Sequence, residues 1–456
     1  MKRAVLLACI VACLLTVPVS AQHHIIIAWN DLGMHCSNKD FSTLAVLPPF
    51  NTVVAQVIRV GDSLNLPAVL THNLRVTYEI PGNTYSVDKT NFWDYEDLLF
   101  GVQLPANVGL TGNGLSGDLQ QVANYFVVTG IPVTPFTDAD LAHEDPFQLG
   151  WFSVYDDSAQ WLAATHTVVP VSNEINCLSA GCHVSEQAIL DGHAEEALFD
   201  PAAKPILCAG CHASNALGTP GLPGLPSLSE AIHKHHGEIT NDCYKCHPGP
   251  VTQCLRDVMA TEHGFVCQTC HGSVAQVGAS IDAGRKPWLE EPSCGSAACH
   301  GPVFAEEPGS LYRNSRGHGG LFCSACHGSP HAILPSRENR DNVQNLTLQG
   351  HPGTLHECEV CHGVVPAGAG PHGVSACPVR VDGDLDESGQ VSSSDVIYLV
   401  NFVFKGGVDP RPCAANGNVN CDPAVTSADV IHLVNYVFKG GVPPCDVCSD
   451  SPMLCP

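Results

Sequence analysis

The chain has 456 residues, 45 acidic and 20 basic side chains, a formal charge of −25, and 24 Cys and 24 His against only 4 Met. That charge excludes a nucleic-acid binder, whose affinity rests on cationic contacts to phosphate. Charged residues make up only 14%, against roughly 25% in ordinary soluble chains; with 42 Gly and 34 Pro, this argues against one conventional enzyme core and for about two to four domains.

The first segment reads as an export signal. Lys2 and Arg3 start it, an apolar stretch follows to Thr16, and Val19, Ser20 and Ala21 form a small-residue cleavage site. Residues 1–21 are therefore expected to be removed. The mature chain is expected outside the cytoplasmic membrane, extracellular or at the cell surface, else periplasmic, where disulfides persist. No later stretch reaches the roughly 18 apolar residues that span a bilayer.

Residues 22–171 hold a single Cys, Cys36. Leu74, Val76, Tyr78 and Ile80 alternate with Arg75, Thr77 and Glu79, which puts one face in a core and the other in water. Segments 52–60, 125–128 and 147–155 read as further strands, so an antiparallel β-sandwich-like domain is expected. His23, His24, His72, His143 and His166 read as surface or core histidines.

From 172 to 376 the apolar periodicity stops and Cys-His clusters take over. Five fit C-x-x-C-H: Cys208 and Cys211 with His212, Cys243 and Cys246 with His247, Cys267 and Cys270 with His271, Cys323 and Cys326 with His327, and Cys358 and Cys361 with His362. Two fit C-x4-C-H: Cys177 and Cys182 with His183, and Cys294 and Cys299 with His300. Two thiols at this spacing can add to the porphyrin vinyl groups while the adjacent His reaches the iron. Zinc also takes Cys and His, but zinc modules do not need His directly after the second Cys seven times over.

These motifs resemble the multihaem c-type cytochromes, cytochrome c3-like members among them. The resemblance implies seven haems c packed in a domain of short helices and little regular structure. Methionine is scarce, so bis-histidine ligation is expected. The distal candidates are His193, His233, His236, His263, His318, His331, His351, His356 and His372, with His235 the more probable bystander of its cluster. His263, His318 and His331 flank attachment motifs and are favoured because their backbone lies beside one. Asp31 to Cys36, followed by Leu47 to Phe50, resembles leaders of exported multihaem cytochromes; His35 and Met34 read first as a loop packed on the β-domain.

All seven motifs end in His. This points to an electron carrier serving redox proteins or an extracellular acceptor rather than to an enzyme. Two alternatives stay open: a reductase of a nitrogen or sulfur oxyanion with one open haem, and a structural or filament-forming subunit. The oligomeric state is open as well.

After a Gly/Pro/Ala-rich linker, the segment 395–407 (DVIYLVNFVFKGG) recurs at 429–441 (DVIHLVNYVFKGG). The loop before the first copy offers Asp384, Asp386, Ser388, the Gln390 carbonyl, Ser392 and Asp395 at EF-hand positions, with Gly389 at the turn. The second offers Asn418, Asn420, Asp422, the Ala424 carbonyl, Thr426 and Asp429; it has fewer charges, and Pro423 stands where Gly is usual, so one or two calcium ions are expected, the second weaker. Ile397, Val400, Val403 and Phe404, with Ile431, Val434, Val437 and Phe438, are expected to bury the helices against each other. The repeat at 377–445 resembles type I dockerin domains. That implies docking onto a cohesin module, with Ser393, Ser394, Ser427 and Ala428 at the recognition positions. A Cys-containing tail, 446–456, follows.

Overall fold

A computed structural model describes residues 24–456 apart from 176, 179, 180, 195–198, 365, 367–369, 374–378, 380, 452 and 454–456. The expected export signal, Cys377 and Cys455 lie outside the described residues. No described helix is long and apolar enough to cross a membrane.

Twelve strands build the amino-terminal region. In chain order they are β1 (His24–Asn30), β2 (His35–Cys36), β3 (Leu44–Ala45), β4 (Thr52–Arg59), β5 (Ala68–Leu70), β6 (Leu74–Glu79), β7 (Ser116–Asp118), β8 (Gln120–Val122), β9 (Tyr125–Thr129), β10 (Leu149–Asp156), β11 (Trp161–Val168) and β12 (Val171–Ser172). One antiparallel sheet runs β1-β4-β9-β8 with β5 paired to β4; a second runs β11-β10-β6-β7. Ile26, Ala28, Val53, Ala55, Val57 and Phe126 from the first share one core with Val76, Tyr78, Phe152, Val154 and Ala163 from the second. Each large side chain so buried contributes about 1.5–3 kcal/mol.

The alternation expected at 74–80 holds in β6, whereas the first sheet is covered on its outer face too. Ile25, Ile27 and Trp29 of β1, with Val54 and Ile58 of β4, form another core with Phe322 and Ala325, against which Val360 and Cys361 pack. The Trp29 and Phe322 rings stand 5.4 Å apart. Gln56, fully buried, accepts from the Phe322 amide at 3.0 Å and donates to the Gly320 carbonyl at 3.1 Å. The segment carrying the last two Cys-His motifs thus lies on the sheet. Further ties are parallel pairings of β2 with β12 and of β3 with the short strand Ile206–Leu207.

Arg256 is the main polar bolt between the two regions. Its guanidinium is buried, donates to the Asp341 carboxylate at 2.6 and 2.9 Å, and reaches the Gly33 carbonyl at 2.8 Å. It also lies over the Phe147 ring at 4.6 Å. Gly33 sits at φ 72, where a Cβ would meet the Pro330 carbonyl oxygen at 1.7 Å, so only glycine fits this crossing.

Between 173 and 362 the buried apolar side chains are few: Leu190, Ala209, Ile281, Ala332 and Leu334, besides Phe322 and Ala325 already counted in the sheet core. The longest described helices here, Glu186–Ala194, Leu228–His236 and Val274–Asp282, have nine residues each. The last two cross closely at Gly278, where a Cβ would meet Lys234 backbone at 2.9 Å.

At the carboxyl end, helices Ser393–Lys405 and Ser427–Lys439 each open on a capping box, Ser392 with Asp395 and Thr426 with Asp429, and close on a left-handed glycine, Gly406 or Gly440. Their shared core is Leu385, Val396, Leu399, Val419, Val430 and Leu433, with Val400, Val403, Val434 and Val437 partly buried against it. This corrects the expected stripe: Ile397 and Phe404, and Ile431 and Phe438, are 61–62% exposed. Cys421 and Cys445 form a disulfide, and Cys413 and Cys448 are disulfide-bonded too.

Candidate cofactor sites

None of the fourteen motif cysteines is in a disulfide, nor are Cys36 and Cys254. Several motifs form one tight turn: 267–271 and 323–327 are short helices, and at 208–212 and 243–247 the His amide donates to the carbonyl of the first Cys. Both thiols and the imidazole therefore project from a single turn of chain.

Six of the seven motif histidines face a second imidazole. Ring centres are 6.1 Å apart for His183 and His236, 6.4 Å for His212 and His193, and 6.0 Å for His247 and His233. They are 6.2 Å apart for His271 and His331, 6.1 Å for His327 and His372, and 5.9 Å for His362 and His318. A metal–imidazole bond is about 2 Å, so two imidazoles on opposite sides of one metal have centres roughly 6 Å apart. Direct hydrogen bonding or stacking of two rings does not require this one separation six times.

Backbone carbonyls set the tautomers of several of these rings. Nδ1 of His193, His233 and His236 donates to the carbonyl four residues earlier at 2.7–2.8 Å, and Nδ1 of His212 to the Pro226 carbonyl at 2.9 Å. A carbonyl only accepts, so the proton is on Nδ1 and the lone pair is on Nε2, as in metal-ligating histidines. Desolvation first, and neighbouring histidines second, push the half-buried His327 down to about 4, so it is neutral near pH 7. His331 and His372 hold φ of 62° and 60°, a left-handed conformation that costs a non-glycine residue roughly 1–2 kcal/mol.

Sequence neighbourhood misleads about pairing. His318 and His331 flank the 323–327 motif, yet they face His362 and His271. The helix Leu228–His236 presents His233 and His236 to two different motifs, and His235 only to His236. The remaining three candidates are not brought to a motif histidine by any ring contact: His263 lies by Phe265, and His351 and His356 lie against each other. The ring beside His300 is Phe304, 6.2 Å away. His35 Nε2 donates to the Asp31 carboxylate at 2.8 Å, and Met34 is buried with Phe147 and Val168, so this leader packs on the β region.

The motifs adjoin one another in series. Cys208 and Cys246 both lie near Cys177; Cys243 and Cys267 share a hydrogen bond; Cys270 lies near Cys299, Cys294 near Cys323 and Cys326 near Cys361. Burial first, and the neighbouring cysteine second, push Cys208 up to about 11 and Cys326 up to about 12; at Cys294 burial and then the Glu306 carboxylate push it up to about 12.

In the first carboxyl-terminal loop, Asp384, Asp386 and Asp395 bring carboxylate oxygens within 4.8 Å of one another. Backbone amides of Ser388 and Gly389 donate to Asp384, and those of Leu385 and Ser392 to the fully buried Asp395. Burial pushes the Asp384 carboxyl up. Such a set suits a hard cation. In the second loop Asp429 accepts from the Asn420 and Thr426 amides, and the buried Asn418 Oδ1 has no hydrogen-bond partner.

Comparison with protein-family models, with curated proteins and with solved structures returns no match to this chain.

Proposed function

We propose that the chain is an exported multihaem c-type cytochrome, an electron carrier with seven covalent haems, anchored by a calcium-binding dockerin-like repeat. The observation that carries this reading is the sixfold recurrence of a motif histidine facing a second imidazole at 5.9–6.4 Å. The cysteine pairs beside those histidines, none in a disulfide, fit covalent attachment. A c-type haem at each motif supplies one reversible electron.

The chain's own residues do the rest. The cysteines would fix the group in place, the motif His and its partner would hold its metal, and the Nδ1 bonds aim several of these rings. Two histidines, unlike His with Met, keep the potential low. Cysteines of successive motifs lie near one another, which suits transfer along the chain. Disulfides at the carboxyl end fit an oxidising compartment. The matched exposed pairs Ile397 with Phe404 and Ile431 with Phe438 offer apolar surface to a cohesin-type partner.

A reductase with one open iron draws on a single observation, Phe304 rather than an imidazole beside His300. The discriminating experiment combines pyridine haemochrome quantitation with carbon monoxide titration of the reduced protein. The carrier reading expects seven haems per chain and at most one that binds CO; few or no haems, or CO binding at most of them, would overturn it.

A further inference from the structure

Two of the histidines left without a motif partner converge with a carboxylate. Nε2 of His351 and of His356 lie 3.6 and 3.9 Å from Oε1 of Glu357, too long for hydrogen bonds, and the three ligand atoms all fall within 4.8 Å of one another. Nδ1 of His351 donates to the Pro352 carbonyl at 2.9 Å and Nδ1 of His356 to the Thr354 carbonyl at 3.0 Å. Both protons are thereby placed on Nδ1, and both Nε2 lone pairs aim at the carboxylate. His351 Nε2 is shielded from solvent and has no hydrogen-bond partner.

The loop is built to stay in this shape. Asn345, fully buried, donates to the Gly353 carbonyl at 2.7 Å; Gln349 donates to the Thr354 carbonyl and accepts from the His356 amide, both at 3.1 Å. The helix Val343–Gln349 ends just before it on Gly350 at φ 87. Two imidazole nitrogens and a carboxylate oxygen facing one point are held together either by a proton on one ring, which Glu357 favours, or by a cation bound between all three.

We propose that His351, His356 and Glu357 bind a divalent first-row transition metal ion, distinct from the haem irons and from the calcium loops. Two nitrogen ligands and one oxygen suit zinc or copper, whereas calcium and magnesium prefer oxygen alone. Carbonyl-bonded Nδ1 atoms are the usual outer support of metal-bound histidines. Three protein ligands leave at least one position for water or an external donor. The inference is independent of the haem reading, because it uses only residues outside the attachment motifs.

The test is zinc binding to the untagged, fully matured protein in excess calcium, by equilibrium dialysis and elemental analysis, with the electron paramagnetic resonance spectrum of each variant alongside. Wild type is expected to retain one zinc ion per chain. His351→Ala and His356→Ala should each weaken binding at least about 100-fold and Glu357→Gln about 10-fold, while Asp395→Asn leaves it unchanged, and no variant should gain a high-spin haem signal. Equal zinc retention in wild type and His351→Ala, or none in wild type, would overturn the proposal. So would a low-spin to high-spin conversion in either histidine variant, which would assign that ring to an iron. A chain lacking haem would defeat the cytochrome reading yet still report on this site through its zinc content.

Discussion

The strands between 24 and 172 and the Cys-His segment between 173 and 362 belong to one chain but are closed by different means. The first buries Ile26, Val57, Phe126, Phe152 and their neighbours between two sheets, so side chains alone complete its core. The second has few buried apolar residues among those described and holds six imidazole pairs with ring centres 5.9–6.4 Å apart. Interior volume can be filled by side chains or by a cofactor. Only in the second case does the fold depend on a chemical step after synthesis.

The largest effect should come from withholding that step. Without haem attachment, proteolysis is expected to cut throughout 177–314 while 24–172 stays protected, as mapped by mass spectrometry of the fragments. Equal protection of both regions would erase the contrast.

Next comes the bolt between them. Arg256→Met leaves the buried Asp341 carboxylate without its partner and frees the Gly33 carbonyl, and should cost about 3–5 kcal/mol in denaturant unfolding. Because Arg256 spans both regions, their transitions should also separate.

Calcium removal should be smaller and local. At calcium 100-fold above its dissociation constant, binding adds about 2.7 kcal/mol, so chelation should lower only the transition of residues 381–447. Asp395→Asn should abolish most of the difference.

The smallest effect is a pH dependence inside the β region. Burial pushes the Asp138 carboxyl up, but hydrogen bonds from Lys89 and Thr84 hold it below its ordinary 3.8. The folded pKa is depressed, so its contribution is present above pH 3.8 and is lost as pH falls through the folded value. Asp138→Asn should flatten that acid limb of the unfolding profile.

The motifs themselves were legible because thiol and imidazole spacing is local. Strands β4, β6, β9 and β10 were legible in the same way, from alternation or apolar runs. β1 was not, because HIIIAWN is buried on both faces and lacks alternation. The second face is covered by Phe322 and Val360, some 300 residues away, which no local pattern announces. Histidine pairing was hidden for the same reason: His271 meets His331 and His362 meets His318 through tertiary structure. In the repeat, periodicity located the helices and half of the stripe: Val400, Val403, Val434 and Val437 pack on the core, but Val396, Leu399, Val430 and Leu433 form it and Ile397, Phe404, Ile431 and Phe438 stay exposed.

The most direct test is the intact mass of protein purified from a host that matures c-type cytochromes, followed by peptide mapping. The expected result is the chain mass plus seven haems, located at Cys177/Cys182, Cys208/Cys211, Cys243/Cys246, Cys267/Cys270, Cys294/Cys299, Cys323/Cys326 and Cys358/Cys361. A folded, protease-resistant 173–362 segment at the unmodified mass would contradict it.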